Sequence, residues 1–383
     1  MKRITLTFLL SAIFMLFSEN GNAQLARQSK QVKINGRIQY DFEFFKREKD
    51  HDWRVGNEFR RVHLSAAGKT GKYFKYKVEV NFAHGKLGFR DVYLEYVNPS
   101  VGHIAVGSKA EPTGLEMATS SKYIPFAERA MLTALENFRW GTGIHYACHG
   151  LFDKRAGIQM ALTNKGVNSE GFVDKQLEKG MNFAARVYGT PLWDTDKKFL
   201  WHVGANYATR PYKDLKFRPE NHMGDKYHYV VPGGQRRLET GFETAVVYGP
   251  YSLQGEYKTA EIAAQNARYD ISGYYAMAGI FVTGESRPYK HGAFGRVKPR
   301  KDVAHGGYGA MEVLARYSVM EFPSDLIQLP ENTGLPGRIQ NTALGINWYL
   351  TSHVRLMYNF ILTADKHPSG NLNTHILRFQ VDF

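Results

Sequence analysis

The densest group of side chains that could bind a ligand is the stretch EFRRVHLSAAGK, which begins at Glu58. Arginine carries a planar fork of N–H donors that suits phosphate or carboxylate oxygens, and Arg60 and Arg61 stand next to each other here. Apolar residues alternate with Arg61 and His63, which predicts that these two side chains share the polar face of a strand. Arg60 falls on the apolar face unless a bulge turns it inward. The alternative is a rim pair that meets lipid headgroups.

Other chemistry has weaker support. The HYACH stretch at residues 145–149 could bind a metal, but no second ligand group has zinc-like spacing, and His145 and Cys148 lie on opposite faces of a predicted strand. Gly141-Thr142-Gly143 lacks the rest of a dinucleotide fingerprint. We also find no Ser and His pair of the kind that a membrane-embedded lipase needs. We therefore predict neither an enzyme nor a metal or cofactor site.

Strands must position these side chains, because short segments of alternating apolar and polar residues recur along the chain. At the end of the chain, THILRFQVDF places Leu377, Phe379, Val381 and Phe383 on one face of such a segment. We predict sixteen strands, at residues 32–44, 57–68, 72–82, 88–97, 101–108, 139–147, 155–163, 181–190, 199–209, 236–249, 251–261, 269–283, 307–320, 338–350, 353–363 and 374–383.

The connections between predicted strands alternate in length. Tight turns follow even-numbered strands and long connections follow odd-numbered ones, which is typical of outer-membrane barrels with short periplasmic turns and long outer loops. Residues 284–306 break this rule, because they follow the twelfth strand yet are long and basic. A secreted β-sandwich is the alternative. The strand number, the loop lengths and the aromatic content of 23 Tyr, 24 Phe and 5 Trp favour an all-β, 16-stranded antiparallel transmembrane barrel.

A barrel of this kind would have a cationic lumen. An Arg or Lys facing the bilayer midplane costs about 2–4 kcal/mol, so basic residues on strands should point inward or lie at the rims. Fixed positive charges in a narrow lumen lower the barrier for anion entry. The basic residues on the predicted inward face are Lys33, Arg37, Lys75, Lys77, Arg316, Arg355 and Arg378.

The two ends and the composition predict export. Lys2 and Arg3 precede an apolar run at residues 4–17, and Gly21-Asn22-Ala23 offers the small residues of a cleavage site. The run is shorter than the roughly 20 residues of a transmembrane helix, so we predict a secretory signal peptide at residues 1–23 and the barrel at 24–383.

The composition narrows the class of protein further. A single cysteine excludes an internal disulfide framework. The net charge of +14 indicates an anionic partner or environment, but no nucleic-acid motif accompanies it.

Several stretches resemble the phosphate-selective porin O and P family of outer-membrane proteins. They are EFRRVHLSAAGK, RDVYLEY, GLEMATSSKYIPFAERA, GYYAMAGIFVTGESRPYK with FGRVKPRKD, and the closing ALGINWYLTSHVRLMYNF with LRFQVDF. The resemblance implies a homotrimer of sixteen-stranded barrels, each with a constriction of arginines and lysines that passes phosphate or polyphosphate. It also implies that one outer loop, residues 109–138, folds into the pore, although the longest connection could instead simply cap the outer end. The terminal Phe383 resembles the signal read by the outer-membrane insertion machinery.

The same resemblance implies site residues. His63 stands where the family can carry an aromatic hydroxyl, and the pore lysines match Lys75 or Lys77 and the loop residue Lys122. The positions that match the central anion site are Arg37, Arg60, Arg61 and Asp91. The long basic connection resembles a segment near the periplasmic mouth, so we expect an anion-attracting vestibule formed by Lys290, Arg296, Lys298, Arg300 and Lys301.

These observations predict a passive porin in the outer membrane of a Gram-negative bacterium, conducting small anions and above all phosphate or polyphosphate. Two alternatives remain open. One is a porin for other solutes without phosphate preference. The other is a plugged barrel whose long loops bind a partner at the surface.

Overall fold

The computed structural model describes residues 32–85, 87–135, 140–165, 180–265, 267–323 and 337–383. The predicted signal peptide lies outside these residues. No helix in the described ranges is long and apolar enough to cross a membrane. Two one-turn helices, Leu115–Ala118 and Leu151–Lys154, and three 3₁₀ turns, Ala83–Gly85, Met131–Leu135 and Val303–His305, connect the strands.

Sixteen antiparallel strands form a closed barrel within the described part of the chain, which confirms the predicted fold. The barrel strands are β1 Lys33–Arg47, β2 Arg54–Thr70, β3 Phe74–Asn81, β4 Gly88–Asn98, β5 Gly102–Ala110, β6 Trp140–Gly150, β7 Ala156–Lys165, β8 Asn182–Asp194, β9 Phe199–Pro211, β12 Arg236–Tyr248, β13 Tyr251–Ala263, β14 Arg268–Phe281, β17 Ala310–Glu321, β18 Arg338–Tyr349, β19 Val354–Ala364 and β20 Leu372–Asp382. Two further hairpins are β10 Leu215–Phe217 with β11 Tyr227–Tyr229, and β15 Tyr289–Lys290 with β16 Ala293–Phe294.

The barrel closes between its first and last strands. In the β1–β20 register, Arg37 lies opposite Asp382 and Tyr40 opposite Phe379. Beyond β20, the N–H of Gly36 donates to the carbonyl of Phe383 at 2.8 Å, and the N–H of Phe383 donates back at 3.2 Å. The C-terminal residue is thus held at the seam by two backbone hydrogen bonds.

Side chains alternate between an apolar outer face and a polar inner face, as the sequence predicts. Phe242 and Leu253 are more than half exposed on the outer face, where lipid would cover them. On the inner face, Arg186 and Glu243 are fully buried and form an ion pair at 2.5 Å. Burying charges in this way is tolerated because they are paired and hydrogen-bonded. The inner face of the barrel wall therefore carries paired charges.

Connections from both ends fold into this interior. The outer loop between β5 and β6 and the outer loop between β9 and β12 enter from one end, and the connection between β14 and β17 enters from the other. Apolar side chains of the two outer loops pack together with β14, β17 and β18 inside the barrel. This cluster includes Phe126, Leu132, Phe217, Tyr229, Tyr275, Met320 and Ile339. The barrel core thus lies within the lumen, where it supports the inward loops.

Candidate functional site

A β-bulge on β2 turns Arg60 into the barrel. Gln39 pairs with Arg61 and Tyr40 pairs with Phe59, so Arg60 is an extra residue without a partner on β1. Its Nε and Nη2 donate to the two carboxylate oxygens of Glu128 at 2.8 and 2.9 Å. The orientation that the sequence left open is therefore inward. Arg60 and Arg61 reach the same side of the lumen although they are consecutive in a strand.

Glu128 lies on the loop between β5 and β6, which folds into the barrel and which we call the inward loop. Its carboxylate is the shared hydrogen-bond acceptor for three arginines. Besides Arg60, it accepts from Arg61 Nη2 at 3.4 Å and from Arg378 Nη2 at 2.8 Å. Burial favours the neutral carboxyl, but the three guanidinium groups outweigh it and hold the pKa of Glu128 well below its usual value. The loop is thus tied to the barrel wall by an ionised carboxylate.

A cavity of about 290 Å³ opens beside this cluster, on the side of the outer loops. We call it the outer chamber. Cationic side chains dominate its lining, since five arginines face two carboxylates. These charged residues are Arg60, Arg61, Arg90, Arg129, Arg218, Glu128 and Glu220. The outer chamber therefore has an electrostatic preference for anions.

Arg90 reaches the outer chamber through a second bulge and was not predicted as a site residue from the sequence. Val78 pairs with Val92 and Val80 pairs with Phe89, so Arg90 and Asp91 both stand opposite one residue of β3. The Arg90 guanidinium lies 4.5 Å from the centre of the Trp140 ring. The spacing of three between Phe89 and Val92 breaks the strand alternation and was the available signal.

A compact group of polar residues lies next to the outer chamber on the periplasmic side. Arg37 Nη2 lies 2.9 Å from His63 Nδ1 and 3.3 Å from Glu79 Oε1. Lys77 Nζ donates to Glu79 at 2.5 Å and to Asp91 at 2.8 Å. The structure thus brings these predicted residues together. It also adds Glu79, which was not predicted as a site residue from the sequence.

Below this group is a second cavity of about 540 Å³, which we call the inner chamber. His63, Met117 and Trp140 line both chambers, so these three residues lie between the two cavities. The inner chamber carries a more balanced charge than the outer one. Its charged residues are Arg37, Lys77, Lys109, Lys122 and Lys290, with Glu79, Asp91, Glu95 and Glu111, and its other histidines are His103, His149 and His291.

The family model for the phosphate-selective porins O and P matches residues 32–383. The chain belongs to this porin family. Porin O of Pseudomonas aeruginosa is 28% identical, covering 93% of this chain and 89% of that protein. An uncharacterised protein of Caulobacter vibrioides is 26% identical, covering 89% of this chain and 70% of that protein.

Solved porins share the fold at low sequence identity. The anion-selective porin from Comamonas acidovorans has a TM-score of 0.59 at 12% identity, covering 93% of this chain and all of that one. OprB of Pseudomonas putida has a TM-score of 0.58 at 10% identity, covering 95% and 97%. Family and fold together identify an outer-membrane porin of a Gram-negative bacterium, which is a channel architecture rather than that of an enzyme.

In this porin, the long basic connection after β14 folds up into the barrel. Arg186 Nη2 donates to the carbonyl of Gly292 at 2.7 Å, and the N–H of Phe294 donates to Thr119 Oγ1 at 3.3 Å. The segment therefore contacts both the barrel wall and the inward loop. Because it follows an even-numbered strand, it enters from the periplasmic end of the porin.

The remaining predicted residues lie at different depths. Lys122 lines the inner chamber, with Nζ 3.9 Å from Asp382, and Lys290 lines it from the periplasmic connection. Arg296 is bonded to Asp382 and to the hydroxyl of Tyr123, so it ties that connection to the loop. Outside the lining of both chambers are Lys33, Lys75, Lys298, Arg300 and Lys301.

Proposed function

We propose that this porin conducts small anions through the outer and inner chambers, with phosphate as the preferred class. The observation that carries the proposal is the charge of the outer chamber, where five arginines face two carboxylates. Fixed guanidinium groups in a narrow, partly desolvated lumen attract anions and repel cations. The family description and the name of the Comamonas porin support the same direction of selectivity.

The arrangement of the chambers supports a stepwise path. An anion would enter between Arg60, Arg61 and Arg218, pass the boundary at His63, and continue along Lys77 and Lys122. Adjacent sites of moderate strength allow conduction, since an ion must leave as readily as it enters. The carboxylates contribute here by lowering the net attraction at each step.

The carboxylates also set the positions of the cations. Glu128 holds Arg60 through two parallel N–H···O bonds, and Glu79 receives both Arg37 and Lys77. Such charge-assisted bonds fix long side chains that would otherwise be mobile. Guanidinium groups held in fixed positions favour an oxyanion such as phosphate, which accepts several hydrogen bonds, over a spherical anion such as chloride.

The test is a measurement of current through single channels in planar bilayers. A reversal potential under a KCl gradient should show anion preference, and millimolar phosphate should reduce the chloride current. Arg61→Ala should lower both effects several-fold, because it removes one guanidinium from the outer chamber. Arg54→Ala is the matched control, since Arg54 stands on the same strand but pairs with Asp225 at the rim, at 2.8 Å.

The possible results of these recordings distinguish between the candidate functions. A cation-selective channel would contradict the proposal, and a channel indifferent to phosphate would leave a porin for other anions. A purified porin that carries no current at all would favour the plugged barrel that binds partners at its surface.

Assembly and targeting are part of the same proposal. We infer a homotrimer, supported by a fold shared with OmpT of Vibrio cholerae, which is described in a trimer form at a TM-score of 0.56 and 12% identity, covering 93% of this chain and all of that one. We also propose that the signal peptide is cleaved near Ala23 and that the outer-membrane insertion machinery recognises Phe383. The mass of the purified porin in detergent tests the trimer, and N-terminal sequencing tests the cleavage.

A further inference from the structure

Three residues from separate segments converge near the extracellular end of the barrel. Glu58 lies on β2, and His84 lies in the connection between β3 and β4. His222 lies between β10 and β11, in the outer loop that connects β9 to β12. His222 Nδ1 is hydrogen-bonded to one carboxylate oxygen of Glu58, and His84 Nδ1 lies 3.5 Å from the other. One possible ligand atom from each of the three residues lies within 4.8 Å of those of the other two. We call this group the histidine cluster.

The backbone around both histidines is held in place. Buried Glu43 accepts hydrogen bonds from the N–H groups of His222 at 3.1 Å and of Met223 at 2.9 Å. His84 has a φ of 62°, in the left-handed region that a non-glycine residue rarely adopts. The two imidazole rings lie with their centres 5.6 Å apart at an angle of 26°. Both rings thus face the same carboxylate.

The charge around the histidine cluster differs from that of the outer chamber. Oxygen atoms of Asp41, Glu43 and Glu58 lie within 4.8 Å of one another. Asp41 is neutralised by Arg378 at 2.5 Å, whereas Glu43 accepts hydrogen bonds from the backbone N–H groups of His222 and Met223. Glu58 is therefore the carboxylate of this group that faces the two imidazoles, and two imidazole nitrogens with one carboxylate are a donor set that zinc prefers.

We propose that the histidine cluster is a binding site for a divalent transition metal of the zinc type. Nδ1 of His84, Nδ1 of His222 and one oxygen of Glu58 would be the ligands, with water in the fourth position. Ligands at about 2.0–2.2 Å from zinc in a tetrahedron lie roughly 3.3 Å from one another. Rotation of the half-exposed His84 side chain toward Glu58 would bring the three ligand atoms to this spacing. The half-exposed side chain of His84 leaves a route from the extracellular side.

The metal would have a structural consequence for the pore. It would connect the barrel wall and the β3–β4 connection to the loop that carries Arg218 and Glu220, both of which line the outer chamber. A bound metal would therefore fix part of the chamber lining. The proposal does not depend on anion conduction, because binding is measured on the protein without current.

The experiment is a calorimetric titration of the folded porin in detergent with zinc chloride, and with magnesium chloride as the hard-cation comparison. We expect one zinc ion per chain and no comparable magnesium binding. His84→Asn and His222→Gln should each weaken zinc binding by at least about tenfold. Asn tolerates the left-handed backbone at residue 84. His228→Gln is the matched control, since His228 lies in the same loop but pairs with Asp214 at 3.0 Å.

A second readout uses the unmodified porin. Zinc should slow proteolytic cleavage within residues 211–235, and a chelator should restore it. Equal zinc affinity in the three variants would overturn the proposal, and so would the absence of saturable binding or of protection in the wild-type chain.

Discussion

At the scale of single residues, pairing determines what the basic side chains can do. The sequence predicted that Arg37, Arg61 and Lys77 face the lumen, because strand parity follows from the apolar residues beside them. It did not predict Glu79 or Glu128 as their partners, since both contacts depend on tertiary packing. Strand alternation alone also does not predict which face Arg60 and Arg90 occupy, because each belongs to a bulge. Local breaks in alternation were the available signals for these two.

Replacing Glu128 with Gln should raise anion selectivity. The change removes one negative charge from the outer chamber while the amide oxygen still accepts a hydrogen bond from Arg60. Reversal potentials under a salt gradient should shift further toward the anion limit, and the current should become noisier as the loop loosens. Glu261→Gln is the control, because Glu261 pairs with the exposed Arg268 at the strand end. A shift of equal size in both variants would contradict the assignment.

The lowered pKa of Glu128 predicts resistance to mild acid. A carboxylate whose pKa is lower in the folded state contributes stability above its unfolded pKa of about 4.3, and loses it as the pH falls through the folded value. The tie between loop and wall should therefore persist from pH 7 to about pH 5. Hydrogen exchange at residues 127–131, corrected for its intrinsic pH dependence, should stay slow over this range. Faster corrected exchange at pH 5 would show that Glu128 is protonated earlier.

At the scale of elements, the inward segments give the pore its shape. The resemblance predicted the inward loop at residues 109–138, and its described part does fold inside the barrel. The unusual length of residues 284–306 marked that connection as special, although its path up into the lumen was not predicted. The β10–β11 hairpin lay within a connection that the sequence identified only as long. Strands of two or three residues give too little alternation to recognise.

Replacing Gly292 with Ala should displace the β15–β16 hairpin, which contains this residue in its turn. A Cβ there would lie 2.7 Å from the ring of Tyr188, whose hydroxyl is bonded to His149, so the ring cannot easily move away. Conductance should rise and become noisier as the hairpin leaves the lumen. Gly306→Ala is the control, because Gly306 has almost the same positive φ but no atom within 4 Å of its Cβ position. Similar behaviour of the two variants would assign the effect to backbone strain alone.

At the scale of the whole molecule, the alternation of apolar and polar residues predicted the barrel, because each strand has one face toward lipid and the other toward the lumen. Lipid demands apolar side chains on the outer face, while the lumen accepts charged ones. Every predicted strand is present, including those at 101 and 139 where Gly and Ala blur the pattern. The ion-pair network of the lumen was not predictable, since parity tells which way a side chain points but not what it meets.

Replacing Gly36 with Ala should weaken the closure of the barrel. A Cβ at this position would clash with the Phe383 ring, so the ring must rotate away from the seam. We expect a loss of about 1 kcal/mol, at the lower end of overpacking costs because the terminal ring can move. The temperature at which the folded barrel loses its faster gel mobility measures this. Gly150→Ala, with no atom near its Cβ position, should leave that temperature unchanged.

The two chambers differ in charge along the axis of the porin. Five arginines against two carboxylates line the outer chamber, whereas five cations and four carboxylates line the inner one. An anion driven inward meets the strongest attraction first, and one driven outward meets it last. Equal voltages of opposite sign should therefore drive unequal currents, so the porin would act as a rectifier, and the direction of rectification would report how each channel had inserted in a bilayer.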